Sequence, residues 1–204
     1  MKVLLINGST HKEGCTFTAL SEVARALQNN GVETQIFHIG NGLVHGCNAC
    51  GYCFTNNKCV FEDDVCNEIA KLIQESDGII VGSPVYYSGP NGALCAILDR
   101  VFFSSSRMFS NKPAAAVVSC RRGGASATFD RLNKYFTISQ MPVVASQYWN
   151  SVHGQTSEDV RKDLEGLQTM KTLGNNMAWM LKNIEKAGLP VPVKENIIRT
   201  NFIR

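Results

Sequence analysis

The fold is decided by the stretch Gly78-Ile79-Ile80-Val81-Gly82-Ser83-Pro84-Val85-Tyr86-Tyr87-Ser88-Gly89-Pro90. Its first four residues are continuously apolar, which is typical of a strand that is buried on both faces of a parallel sheet. In the remaining residues, two prolines and two glycines restrict the backbone of a loop. Ligands of open α/β sheets bind at the carboxyl ends of the strands, so the stretch predicts a buried strand that leads into a binding loop.

Apolar runs rich in β-formers alternate with helix-period stretches on both sides of this strand. Strands are predicted at residues 3–7, 34–38, 78–81, 114–119 and 142–145. Helices are predicted at residues 16–29, from Asp63-Asp64 onward, at 91–102, at 128–135, and from near Thr156 to Gly188. Unbroken apolar strands separated by helices indicate a parallel sheet covered on both faces. We therefore expect one doubly wound α/β domain over residues 1–204, with five strands and a cysteine-rich insertion at about residues 42–62.

Composition restricts the classes of function. The 204 residues are 44% hydrophobic and 18% charged, with a net charge of +3, as in ordinary globular proteins. Arg121-Arg122 is the densest basic spot, so no nucleic-acid surface is predicted. The apolar run at residues 1–8 is too short for a signal peptide or a membrane span. We expect a cytoplasmic protein with no membrane partner, whose clustered thiols serve metal or redox chemistry.

Four cysteines lie within thirteen residues, at Cys47, Cys50, Cys53 and Cys59. Thiolates spaced in this way can surround one metal centre without help from the rest of the fold. Four interpretations stay open: a [4Fe–4S] cluster, free thiols, a structural zinc ion and a redox disulfide. The other four cysteines, Cys15, Cys66, Cys95 and Cys120, are expected to be packing residues.

Three loops that follow predicted strands carry unusual residues. Gly8–Thr16 combines hydroxyl groups with a helix N-terminus, which suits either a phosphate cradle or a simple helix cap. Gly82–Pro90 offers two adjacent tyrosines, which either support a planar heterocycle or pack on the core. Ser119–Gly124 contains Arg121 and Arg122, which either bind a phosphate or are solvated. Because all three loops fall at strand ends on one edge of the sheet, together they favour a ligand site.

These residues resemble the NAD(P)H-dependent FMN reductase family, which has the flavodoxin-like fold. The resemblance covers nearly the whole chain, and within the family it is greatest to the iron-sulfur flavoprotein group. It rests on Gly8-Ser9…Gly14-x-Thr16, residues 47–64, Gly82-Ser83-Pro84-Val85-Tyr86 and Leu98-Asp99-Arg100. His11 stands where many relatives have arginine, and Cys15 where many have Asn or Ser.

The resemblance implies a position for FMN. The phosphate is expected on Ser9, Thr10, His11, Cys15, Thr16 and Phe17. The isoalloxazine ring is expected on Pro84, Val85, Tyr86, Tyr87 and Ser88. Its pyrimidine edge is expected to face residues 119–124, with contacts from Ser119, Arg121, Arg122 and Gly123. The cysteines at 47, 50, 53 and 59 match a motif that binds a [4Fe–4S] cluster.

The resemblance also implies a function. We expect hydride transfer from NAD(P)H to the flavin, and then electron transfer to a quinone, a nitro or azo compound, free flavin or an iron-sulfur partner. The flavin carries the chemistry, so no catalytic side chain is predicted. The alternative is an iron-sulfur flavoprotein that carries electrons without catalysis. Relatives imply a homodimer or homotetramer. From residue type alone, Asp99 and Arg100 are expected to form a surface ion pair, Trp149 to be packed and His153 to be exposed.

Overall fold

A parallel sheet forms the centre of the molecule in the computed structural model, which describes residues 1–196, 198 and 200. Five parallel strands lie in the order β2-β1-β3-β5-β6. Their bounds are Lys2–Asn7 (β1), Glu33–His38 (β2), Gly78–Tyr86 (β3), Ala114–Cys120 (β5) and Ser151–His153 (β6). A sixth, short strand, Gly89–Pro90 (β4), pairs antiparallel with the end of β3. The predicted doubly wound fold is confirmed, with six strands instead of five.

Helices cover both faces of this sheet. Their bounds are Cys15–Asn29 (α1), Cys53–Asn56 (α2), Cys66–Gln74 (α3), Gly92–Ser105 (α4), Ala125–Ile138 (α5), Ser157–Lys162 (α6) and Leu164–Ala187 (α7). A 3-10 turn follows α4 at Ser106–Met108. Alternate strand residues enter opposite cores, as in β1, where Leu4 packs with α3, α4 and α5 while Leu5 packs with α1 and α7. Within the described residues, no helix combines the length and the apolar character that crossing a membrane requires.

The edge strand is not where the sequence predicts it. Residues 142–145 make only one isolated bridge, between Val143 and Ala114, and the strand that completes the sheet is β6. The chain leaves the sheet in between, where the Asn150 side chain donates to the Ala116 carbonyl at 3.0 Å. This side-chain bond occupies an acceptor on the edge of β5, so the gap in the ladder is not left unsatisfied.

The closing helix is also different from the prediction, because it is two helices. Asp163 separates α6 from α7, and its carboxylate accepts hydrogen bonds from the Gly166 N–H (2.9 Å) and the His153 N–H (2.6 Å). As the N-cap of α7, this side chain starts a second helix. Leu164, the first residue of α7, is 77% exposed.

Candidate functional site

Three loops converge at the carboxyl edge of the sheet, and we call them together the three-loop edge: residues 8–16, 82–90 and 119–124. Thr16 Oγ1 and Ser119 Oγ are 2.8 Å apart and join the first loop to the third. Thr10 Oγ1 and the Tyr86 hydroxyl are 3.2 Å apart and join the first loop to the second. At Gly124, a Cβ atom would lie only 2.9 Å from Val85 Cγ1, so the second and third loops are also in contact.

The first loop leaves the N-terminus of α1 open to a ligand. Gly14 is the N-cap and offers no side chain, so the first N–H groups of the helix lack the partner that a Ser or Asp would supply. Ser9 is buried, and its hydroxyl accepts a hydrogen bond from the His11 N–H at 3.0 Å. A groove of about 540 Å³ lies beside this loop, between residues 10–15 and 155–158. Open N–H groups at a helix N-terminus favour an anion.

Gly8 and Asn91 hold the first two loops together. The Gly8 N–H donates to the Gly82 carbonyl at 2.9 Å, and the Asn91 side chain donates to the Gly8 carbonyl at 2.8 Å. Asn91 also accepts from the Ala93 N–H at 3.0 Å and so caps α4. From sequence, Asn91 was predicted only to begin a helix, and its contact with Gly8 was missed, although an Asn directly before a helix is a capping signal.

The second loop is a hairpin and not an extended loop. β3 continues through Tyr86, and the chain reverses at Tyr87 (φ 50°) and Ser88 (φ 58°) before β4. Two consecutive positive φ values match a tight two-residue hairpin turn, in which Gly or Asn is usual. The Tyr87 side chain is fully exposed at this tip. The alternative interpretation, in which both tyrosines pack on the core, is therefore wrong for Tyr87.

The third loop presents its basic residues to solvent. Arg121, Arg122 and Gly123 are exposed, whereas Ser119 and Cys120 at the end of β5 are buried. Gly124 has φ 91° and is the N-cap of α5. The backbone of this loop therefore lies against the hairpin, and the two guanidinium groups are available at the rim of the three-loop edge.

The four clustered cysteines line a second cavity, which lies between the insertion and α4. This cavity holds about 20 Å³, room for one water molecule, and Phe61, Arg100 and Phe103 form its other walls. All four thiols are free, and Cys47 and Cys50 are exposed. Within the described residues, no group of three or more His, Cys, Asp or Glu side chains is placed to hold a metal ion. The four thiols therefore line one cavity, but no three of them are placed to hold a single metal ion.

Burial raises the pKa of the Cys53 thiol, and the neighbouring thiols Cys47, Cys50 and Cys59 raise it further. The pKa of Cys66 rises to about 12, chiefly through burial, although the Arg100 charge opposes this shift. Cys66 thus behaves as the packing residue predicted from sequence, and Cys120 is buried too. Cys15 and Cys95 are only half-buried. Half-burial makes them weaker packing residues than expected.

The prediction that Arg100 forms a surface ion pair with Asp99 is wrong. The arginine side chain is 1% exposed and forms a two-pronged ion pair with Asp64, whose side chain is 3% exposed. Asp99 pairs instead with Arg131 at 3.2 Å on the surface. The prediction that Trp149 is packed is also wrong, since it is 57% exposed, whereas His153 is exposed as expected.

Comparison with known proteins decides the family. The sequence profile described as NADPH-dependent FMN reductase matches residues 1–156. The chain belongs to this FMN reductase family. The match includes the three-loop edge, the four clustered cysteines and Arg100.

Relatives of this FMN reductase family member include two archaeal iron-sulfur flavoproteins. One, from Methanocaldococcus jannaschii, is 33% identical over 196 residues, which cover 91% of this chain and 100% of that protein. Another, from Methanosarcina thermophila, is 30% identical over 190 residues, which cover 91% of this chain and 98% of that protein. The similarity to the iron-sulfur flavoprotein group, expected from the cysteine spacing, is confirmed.

Solved structures support the fold of the family member. A flavone reductase superposes with a TM-score of 0.72 at 17% identity, over 92% of this chain and 65% of that one. A flavodoxin from the domain Archaea superposes with a TM-score of 0.59 at 16% identity, over 89% of this chain and 99% of that one. The flavodoxin-like fold expected from sequence is therefore confirmed.

Proposed function

We propose that this protein is an FMN-dependent oxidoreductase that takes hydride from NAD(P)H and passes electrons to a small acceptor. The proposal is supported by family membership and above all by the convergence of the three loops, which are joined pairwise by contacts at one edge of the sheet. The acceptor classes are a quinone, a nitro or azo compound, free flavin and an iron-sulfur partner.

The first loop would hold the cofactor phosphate. The open helix N-terminus at Cys15, Thr16 and Phe17 supplies N–H groups and a partial positive charge. The Ser9, Thr10 and His11 side chains would add further contacts beside them. Thr16 keeps its own hydroxyl on Ser119, so we assign it a contact through the backbone.

The second and third loops would hold the ring. Val85 and Pro84 form a half-buried floor, and Tyr86, Tyr87 and Ser88 form the hairpin that borders it. N–H groups of residues 119–123 would stabilise negative charge on the pyrimidine edge. Arg121 and Arg122 lie at the rim, where they would bind a nicotinamide nucleotide phosphate. When bound, FMN supplies the atom that accepts hydride, and the protein positions both partners and limits the access of water.

The donor set of the cysteine cavity fits a [4Fe–4S] cluster. The cavity has four thiols and two aromatic walls, and a buried guanidinium donates to Cys59 Sγ. A cluster is larger than this cavity, so binding it would require the exposed residues Cys47 and Cys50 to move outward. Cys47, Cys50, Cys53 and Cys59 are the ligands in this proposal.

A second function is favoured by the same cavity. In this alternative the chain would instead carry electrons between protein partners without turning over a small substrate, and its resemblance to proteins named iron-sulfur flavoproteins supports it. We further propose that the chain is a single cytoplasmic domain that assembles as a homodimer or homotetramer.

An absorbance spectrum of protein purified without oxygen tests the flavin proposal. We expect flavin bands and their bleaching on addition of NADH or NADPH. Replacing Arg121 and Arg122 by alanine should raise KM for the preferred nucleotide with little change in kcat, whereas Arg161→Ala on the exposed face of α6 should change neither. Protein that is colourless and takes up no added FMN would refute the proposal.

Acceptor turnover separates the two functions. An enzyme should reduce a quinone such as menadione for many cycles with NAD(P)H as the electron source. A carrier should instead be reduced once and then re-oxidised only by a protein partner. Iron and sulfide analysis of the same preparation tests the cluster in either case.

A further inference from the structure

We propose that Arg100 is a positioning residue that holds Cys59 in place and raises the reduction potential of the cluster bound by the four cysteines. This inference rests on the proposed [4Fe–4S] site. It concerns a residue outside the cysteine motif, and it follows from the contacts that Arg100 makes.

The Arg100 guanidinium uses three nitrogen atoms on three kinds of acceptor. Nε donates to Cys59 Sγ at 3.2 Å, and Nη1 donates to the His45 carbonyl at 2.9 Å. Nη1 and Nη2 together bind the Asp64 carboxylate. Four hydrogen bonds therefore engage all three nitrogen atoms, and those to Asp64 and His45 set the direction of Nε toward Cys59. Lysine has a single ammonium group and cannot reproduce this arrangement.

The surroundings make this charge effective. The Arg100 side chain is 1% exposed, and its guanidinium carbon lies 5.4 Å from the centre of the Phe61 ring. Because little water reaches the Arg100 side chain, the electric field of its guanidinium at Cys59 Sγ is weakly screened. Hydrogen bonds to cluster sulfurs and net charge near a cluster are among the factors that set its potential. A buried cation that donates to a ligand sulfur stabilises the more negative, reduced cluster.

Asp64 provides a second test, because removing its negative charge should shift the reduction potential in the opposite direction. Its carboxylate neutralises part of the Arg100 charge, and it also accepts from the Cys66 N–H at 3.0 Å and the His45 N–H at 3.2 Å. Asparagine at this position keeps the shape and some of the hydrogen bonds but removes the negative charge. If Arg100 acts electrostatically, neutralising Asp64 should shift the potential upward, whereas neutralising Arg100 should shift it downward. A purely structural role predicts no such opposition.

The experiment is a redox titration of the anaerobically reconstituted holoprotein, with dithionite as reductant and the reduced cluster followed by EPR. At a fixed potential we expect Arg100→Met to lower the ratio of reduced to oxidised cluster about tenfold. This corresponds to a reduction potential lower by about 59 mV for a one-electron couple. Asp64→Asn should raise that ratio. Arg131→Met, which removes the cation that pairs with Asp99 on the surface, is the matched control and should leave it unchanged.

The outcomes separate this inference from the proposed function. Opposite shifts in the two variants support it. Equal potentials in wild type, R100M and D64N, with iron bound in all three, would overturn it and leave the proposed function intact. A wild type that binds no iron and sulfide would overturn this inference together with the proposed cluster, whereas the proposed FMN-dependent activity fails only if the protein takes up no FMN. Should R100M fail to fold, the titration of D64N decides, because an unchanged or lowered potential in that variant contradicts the proposal.

Discussion

Gly8, directly after the end of β1, lies against the backbone of β3. Its N–H donates to the Gly82 carbonyl, and a Cβ atom at Gly8 would lie 2.8 Å from that same oxygen and closer still to Leu94. The oxygen belongs to backbone inside β3, so it cannot yield without moving the strand. The absence of a side chain at Gly8 therefore sets the spacing between the first two loops.

Gly8→Ala should damage both stability and the cofactor site. We expect the free energy of unfolding to fall by about 1–3 kcal/mol, as for other overpacked sites, and the Kd for FMN to rise at least tenfold. Urea unfolding and fluorescence titration with FMN measure the two effects. The control is Gly42→Ala, whose Cβ would meet nothing within 4 Å. FMN affinity equal to wild type in Gly8→Ala would contradict the proposed role.

Asp64 is a buried carboxylate whose pKa is determined by competing effects. Burial acts to raise the pKa, but hydrogen bonds from Arg100, the Cys66 N–H and the His45 N–H outweigh it, so the pKa lies below its ordinary value. A carboxyl group whose pKa is lowered in the folded state contributes stability above its unfolded pKa and loses it as pH falls through the folded pKa.

Asp64→Asn should therefore destabilise the protein most at neutral pH. Because Arg100 is left buried without its counter-charge, we expect a loss of about 3 kcal/mol at pH 7. The difference from wild type should narrow as pH falls below about 4, where Asp64 of the unfolded chain begins to be protonated, and on through the lower pKa of the folded state. Urea unfolding from pH 3 to 7 measures this, with the exposed Asp130→Asn on α5 as control. A difference that does not change with pH would show that Asp64 has no electrostatic role.

At the scale of elements, the interrupted edge of the sheet depends on one side chain. Asn150 is 1% exposed and donates to the Ala116 carbonyl at 3.0 Å. The side-chain oxygen of Asn150 accepts a hydrogen bond from Ser146 Oγ at 2.7 Å. This bond fixes the conformation of the segment between residue 145 and β6. The amide thus acts as a substitute for one rung of the β5 ladder.

Asn150→Ala should cost more than the loss of an ordinary hydrogen bond, because it leaves a buried carbonyl unsatisfied. We expect a loss of about 1–3 kcal/mol in the free energy of unfolding. Ser146→Ala is the graded comparison: it removes the Ser146 bond but keeps the bond to Ala116, so about 0.5–1.5 kcal/mol is expected. Equal losses in the two variants, measured by chemical denaturation, would mean that the bond to Ala116 has no special weight.

At the scale of the whole molecule, several large apolar side chains stay on the surface after both cores are complete. Tyr148 and Trp149 lie in the segment between residue 145 and β6, and Trp179 and Ile184 lie on the outer side of α7. Exposed apolar patches of this kind often mark contacts between protein chains.

Self-association should therefore be measurable. We expect light scattering coupled to size-exclusion chromatography to give a mass of two or four times 22.4 kDa at micromolar concentration. Association buries apolar surface, so the oligomer should persist at high salt. A mass of one chain at all concentrations would contradict the expected homodimer or homotetramer.

The sequence by itself determined the elements whose signals are local. The apolar runs of β1, β3 and β5, the periodic stripe of α1 and the cysteine spacing each lie within one short segment. The same holds for the loops at strand ends, because a parallel α/β order places every such end on one edge. Residue type and position along the chain were sufficient for the doubly wound fold, whereas the cofactor contacts expected on its three loops stay predictions.

Only the tertiary structure decided which distant residues meet. Arg100 is 36 residues from Asp64, so its ion pair could not be distinguished in sequence from one with the adjacent Asp99. The same applies to Asn150, which bonds to a carbonyl 34 residues away and moves the edge strand to β6. The physical reason is that a buried charge or amide takes whichever partner packing brings to it, and packing depends on contacts between segments that no local pattern records.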